Sequence, residues 1–191
     1  MKATTAPGYD HLGPAQAGRA IWVALIVISG PCLSLFFACV TPFAALATLA
    51  GLKLGRRDMI AVTGVVWLAN QVIGYGFLDY PRTWDSAAWG LAIGASSALA
   101  VVAATALSTT RPAPLAISLP FVAAFAAFEF GLYLAGYLLP VSEGAFSASV
   151  VWHVFLVNGV TLCALMAVFH LAMMLWLLVR NSAPGPVGAA S

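Results

Sequence analysis

The apolar residues of this chain come in long blocks separated by short polar intervals. One block covers positions 20–54, and others cover 59–78, 87–107, 115–139 and 148–179. A bilayer core needs about 20 helical residues. The first block would reach about 50 Å as a single helix, too long for one span and enough for two short ones. Pro42, just after "CVT" at 39–41, is the natural break, because the residue before a proline avoids helical geometry. The pattern therefore predicts an all-α polytopic membrane protein built as a six-helix transmembrane bundle, its second helix short at about 13 residues. Positions 1–19 read as a polar cytoplasmic arm, 20–179 as the transmembrane domain and 180–191 as a disordered cytoplasmic tail.

Charge placement orients this bundle. With both termini in the cytoplasm, Lys2, Arg19, Lys53, Arg56, Arg57, Arg111 and Arg180 fall inside, and of the 8 basic residues Arg82 alone falls outside. That is the positive-inside pattern, and it predicts a multi-pass protein of the inner, cytoplasmic membrane. A five-span arrangement would set Lys2 and Arg19 on the opposite side from Arg56 and Arg57. Composition agrees with the class: 62% of residues are hydrophobic and 7% are charged, against roughly 25% charged in soluble domains. A net charge of +2, with no basic cluster interleaved with aromatics, excludes nucleic acid as a partner.

The blocks are interrupted from within. "WLANQVIGYGFLDYPRTWDS" (67–86) starts as an apolar helix, places Asn70 and Gln71 in its middle, and ends in a loop of acids and aromatics. Amide and ionisable side chains cost several kcal/mol in hydrocarbon when unpaired, so each should face the bundle interior. Counted along their helices, Asn70, Glu129 and Asn158 all lie about 12–15 Å below the outer surface, with His153 nearer the mouth. Tyr133 and Tyr137 share a helix face with Glu129, and Tyr75 and Trp67 share one with Gln71. Trp84 and Trp89 flank the outer mouth. Apolar and aromatic walls with a few polar anchors describe a small-molecule site. The candidate binding residues are Asn70, Gln71, Trp84, Glu129, Tyr133, His153 and Asn158, with 79–86 as a roof. The competing explanation is interhelical glue, in which the amides bond one another. In the fourth span, Gly90 and Gly94 form a GxxxG spacing continued by Ala98, which reads as a helix-packing face.

Other chemistry finds less support. No cofactor or metal site is expected: Cys32 and Cys39 are too few ligands, and His153 and His170 are about 25 Å apart along one helix. No P-loop occurs, so nucleotide hydrolysis would have to come from another subunit. "GASS" (94–97) with His153 is similar to the Gly-x-Ser-Gly and histidine of rhomboid intramembrane proteases. It departs from that pattern at Ser97, and Ser96 and His153 differ in depth by roughly 6 Å. No catalytic residue is assigned.

Six short spans, a proline-broken first hairpin, the turn "GLKLGRRD" (51–58) and a first helix rich in small residues resemble the substrate-binding component of an energy-coupling-factor vitamin transporter. The resemblance implies a ligand held near the outer side, under the loop around Thr41 and Pro42 and the loops at 79–86 and 140–147. It also implies separate ATPase and transmembrane coupling subunits, the latter docking on an Ala-x-x-x-Ala pattern of the first helix, which Ala20 and Ala24 match. The alternative from a different class is a structural or assembly subunit of a larger membrane complex.

Overall fold

Pro42 divides the first apolar block. In the computed structural model, which describes residues 13–37, 41–108, 113–140 and 144–182, α1 (Pro14–Phe37) stops before the proline and α2 (Phe43–Lys53) starts just after it. The chain continues as α3 (Arg56–Phe77), α4 (Trp84–Ala106), α5 (Ala113–Ala135) and α6 (Ala148–Ser182). Five of these helices, all but α2, are long and apolar enough to cross a membrane. Together they define a helical, multi-pass membrane protein in contact with the lipid bilayer.

The ends of the elements differ from the sequence expectation for local reasons. Helix α1 begins at Pro14, not at position 20, because proline at a first helical position lacks only an N–H that the helix would leave free anyway. Arg19 is thus inside the helix, where it makes a two-pronged ion pair with Asp58 at the start of α3 (Nη2 to Oδ1, 2.7 Å). Helix α5 ends at Ala135, short of position 139, and unwinds through a turn around Gly136. Helix α6 runs on to Ser182, past the expected start of the tail at 180. Residues 1–12 of the arm and 183–191 of the tail lie outside the described residues.

Side-chain contacts fix the direction of each helix. The Arg19–Asp58 pair joins the starts of α1 and α3, and farther along Gly30 packs on Val66. Helix α2 returns beside them: Lys53 sits over the Trp22 ring at 5.9 Å, while Thr41, at its other end, bonds Ser34. Helix α4 runs back as well, joined to α3 by Tyr75–Ser86 near one end and Thr105–Met59 near the other. Trp22 stacks on Phe169 of α6 at 4.0 Å, and Gly18 faces Met173, so the start of α1 and the end of α6 sit together. One end of the bundle is therefore charged (Arg19, Lys53, Asp58, Arg180). The other is aromatic, with Tyr80, Trp84, Trp89, Tyr133, Tyr137 and Trp152.

Helix α2 is the centre of this bundle. It touches all five other helices, and every residue from Phe43 to Ala50 is buried. A helix that is apolar all round belongs in a core. Here alanines at 44, 45, 47 and 50 let neighbours approach on every side. With 11 residues, α2 is about 16 Å long, roughly half the thickness of a bilayer core.

The GxxxG face of α4 is a packing face, and α3 is what it receives. A methyl group at Gly94 would lie 2.7 Å from Trp67 Nε1, and one at Gly90 would overlap the Gln71 side-chain oxygen. The Trp67 indole N–H donates to the Gly90 carbonyl at 2.7 Å. The two glycines thus seat an indole and an amide. Ala98, expected to continue this face, is exposed instead. Two turns beyond Gly90 the face has rotated away from α3, and Ser96, Ala100 and Ala104 carry the packing onward.

Candidate functional site

A helix start leaves backbone N–H groups without intrahelical partners, and at membrane depth water cannot satisfy them. The start of α2 is in that position. Pro42 is its N-cap residue and offers no side-chain cap. The Phe43 N–H bonds the Thr41 carbonyl at 2.8 Å, and the Ala45 N–H donates to Asn158 Oδ1, on α6, at 3.0 Å. Asn158 is 1% exposed. Its Nδ2 donates to the Val154 carbonyl at 2.9 Å, so both halves of the amide are used.

Asn70 serves the same helix end from the other side. Its Nδ2 donates to Ser34 Oγ at 3.2 Å and Thr41 Oγ1 at 3.1 Å, and its Oδ1 accepts from Gln71 Nε2 at 3.2 Å. Ser34 in turn donates to the Gly30 carbonyl at 2.9 Å. A neutral chain of hydrogen bonds therefore runs from α4's edge through α3 to α1 and the start of α2. Among the described residues, every fully buried side-chain nitrogen and oxygen has a partner. Asn70 lies seven residues before the end of α3, so this layer sits about 10 Å inside the aromatic end.

Asn70 and Asn158 thus converge on one structural point, the start of α2, and Gln71, seated on Gly90 of α4, joins it through Asn70. Glu129 is at the same depth, since its neighbour Phe128 stacks on Phe43 with ring centres 5.8 Å apart. Its side chain points about 100° away from that of Phe128, toward the seam with α6 where Phe125 meets Phe155 at 5.0 Å. Glu129 is half-buried and makes no hydrogen bond or ion pair among the described residues. Tyr133 is exposed and bonds Tyr137 at 2.9 Å, which holds the Tyr137 phenol above its ordinary range. Trp84, at the first turn of α4, is 70% exposed. His153 is exposed on α6. Neither joins the layer. Ala20 and Ala24 are both exposed, on the side of α1 away from buried Trp22 and Ile26.

The loop after α3 folds over the aromatic end. Asp79 takes a left-handed conformation (φ 50°), which a short polar side chain tolerates. That turn lays the Tyr80 ring across Gly74, where a methyl group would come within 2.6 Å of it. Inside the core, the void beside Phe43, Val66 and Ser97 holds only about 10 Å³. A larger cavity, about 420 Å³, opens at the charged end between α2, α3 and α4. Ser96 is buried against Gly131 of α5 while His153 is exposed on α6, and no hydrogen bond joins the two. Cys32 and Cys163 are exposed on different helices, and Cys39 lies outside the described residues.

Sequence reasoning did not anticipate the roles of Ser34 and Thr41, nor the capping of α2 by Asn158. The signal available was the Pro42 break itself. A helix that begins at membrane depth needs donors satisfied there, which directs attention to amides and hydroxyls of matching depth. No known protein family, curated protein or solved structure matches this chain.

Proposed function

We propose that the protein is a membrane-embedded binding and uptake subunit for a small, vitamin-like molecule, working with separate ATPase and transmembrane coupling subunits. The observation that carries this reading is the half-length α2. It stops about 10 Å inside the aromatic end, with its N-terminus toward that end and amides from α3 and α6 gathered on it. Membrane proteins that bind small solutes use interrupted helices in this way, turning the positive end of a half-helix toward a ligand near mid-membrane. Glu129, at the same level and without a partner among the described residues, adds a carboxylate that packing alone does not require.

In this reading α2 counts as the second of six spans, the charged end is cytoplasmic and the ligand enters from the aromatic end. The positive-inside distribution supports that orientation: among the described residues Arg19, Lys53, Arg56, Arg57 and Arg180 lie at the charged end and Arg82 at the other, while Lys2 and Arg111 lie outside the described residues. Outward-facing Ala20 and Ala24 leave α1 free to meet a coupling subunit.

A second reading, a structural subunit of a larger membrane complex, is favoured by one observation: Asn70, Ser34, Thr41 and Asn158 satisfy one another and the backbone of α2. Uptake separates the two. Cells making this protein together with coupling and ATPase subunits should accumulate a radiolabelled vitamin or precursor above cells lacking it. No accumulation across a vitamin panel, with the protein instead co-purifying in a fixed ratio with other membrane proteins, would establish the structural role.

A further inference from the structure

The cavity at the charged end has no part in the uptake reading, and its walls have a definite chemistry. Leu54, Met59, Val102 and Ala106 make it apolar, and the Thr105 hydroxyl among them already donates to the Val101 carbonyl at 2.7 Å. Gly51 closes the floor, because a side chain there would meet Thr105 Oγ1 at 3.0 Å and push α2 away from α4. Arg56 stands at the mouth. The volume, about 420 Å³, falls within the roughly 300–1,000 Å³ of small-molecule sites.

Two features set the occupant. The first is access. Val102 is 63% exposed and Thr105 and Ala106 are exposed too, so the cavity opens sideways along α4, a helix apolar and long enough to cross the membrane. Only an amphiphile matches a site apolar along its length and cationic at one end. The second is charge. Asp58 is the one acid at this end among the described residues, and Arg19 holds it. Lys53 lies over Trp22 and Arg180 over Trp176. Arg56 makes no side-chain hydrogen bond or ion pair among the described residues. A guanidinium is the side chain best shaped to grip a phosphate through two N–H groups.

We infer that this cavity binds an anionic phospholipid of the surrounding bilayer, its phosphate on Arg56 and one acyl chain lying along Met59, Val102 and Ala106. Basic pockets between membrane helices recognise anionic headgroups in this manner. Arg57, the other cation here without an ion pair or ring contact among the described residues, is not on the lining and lies within the field of Asp58. The one cation on the lining favours anionic headgroups over neutral ones by about fivefold.

Native mass spectrometry of the purified protein in detergent tests the inference. The protein is mixed with equal amounts of phosphatidylglycerol and phosphatidylcholine bearing the same acyl chains. Wild type should retain about five times more phosphatidylglycerol. Arg56→Gln should bring the ratio to about one. Arg57→Gln, which removes the same charge one residue outside the cavity lining, should leave most of the preference. Val102→Trp, which fills the cavity and keeps every charge, should lower retention of both lipids and remove the preference. Equal retention by wild type, equal losses from Arg56→Gln and Arg57→Gln, or glycerol phosphate competing as well as the whole lipid would each overturn the site. If Arg56→Gln does not fold, Val102→Trp decides alone, and a preference that survives it refutes the proposal.

Discussion

Asn158 on α6 caps helix α2 from 113 positions away: its side-chain oxygen accepts the Ala45 N–H at 3.0 Å. The relationship joins the helix with the least protein packing to the most buried one. Only 11% of the α6 membrane segment is buried, yet this amide reaches the centre of the bundle. Water normally substitutes for a missing cap, and at this depth it cannot. The same bond therefore does more here than on a soluble helix.

Its removal should be felt. Asn158→Ala leaves the Ala45 N–H buried and unsatisfied, a loss of about 1–3 kcal/mol. Thermal unfolding of the purified protein in detergent should show a clear drop in midpoint. His153→Ala, five residues away on the exposed side, should stay within about 0.5 kcal/mol of wild type. Equal effects of the two substitutions would mean that the cap carries no stability.

The indole of Trp67 and the glycines of α4 form a second coupled unit. Gly94→Ala forces a methyl group to within 2.7 Å of the ring nitrogen, and overpacking of this kind costs about 1–3 kcal/mol. Trp67→Phe shortens the side chain and gives up the bond to the Gly90 carbonyl. Because Phe makes room for the new methyl group, the double substitution should be less destabilising than the sum of the singles. A strictly additive cycle in thermal unfolding would show that the glycines do not serve as the indole's seat.

What was legible in the sequence was depth, and what was not was azimuth. Counting residues along the helices places Asn70, Glu129 and Asn158 in one layer, because the rise of an α-helix is fixed. Which side of the helix each faces depends on neighbours far away in sequence. His153 is five residues from Asn158, about 140° around the axis, and so faces out while Asn158 faces in. Glu129 parts from Phe128 for the same reason. The short second helix followed from Pro42. Its central burial did not, because "FAALATLAGL" is apolar on every face and points to no particular partner. Ser34 bonds within its own helix, to the Gly30 carbonyl, and only the fold brings Asn70 to it.

Topology is open to direct labelling. In a background with Cys32, Cys39 and Cys163 replaced by serine, Thr83→Cys should react with a membrane-impermeant maleimide added to intact cells. Arg57→Cys should react only after the membrane is opened. Reaction of position 83 only from the cytoplasmic side would remove the orientation with the charged end inside.

Glu129→Gln keeps the shape of the side chain and discards its charge. With no partner to lose among the described residues, the variant should unfold at nearly the wild-type temperature. If the carboxylate meets a ligand, affinity should fall tenfold or more, since a charge-assisted hydrogen bond is worth about 1.5–3 kcal/mol. Unchanged affinity with lowered stability would assign the residue to packing.

The proposed uptake role requires that a small molecule bind in the membrane above the start of α2. Titration calorimetry of the purified wild-type protein against a panel of vitamins and their precursors tests it most directly. Saturable one-to-one binding of at least one compound, weakened by Glu129→Gln, is the expected result. No heat of binding from any member of the panel, with coupling and ATPase subunits also present, would contradict it.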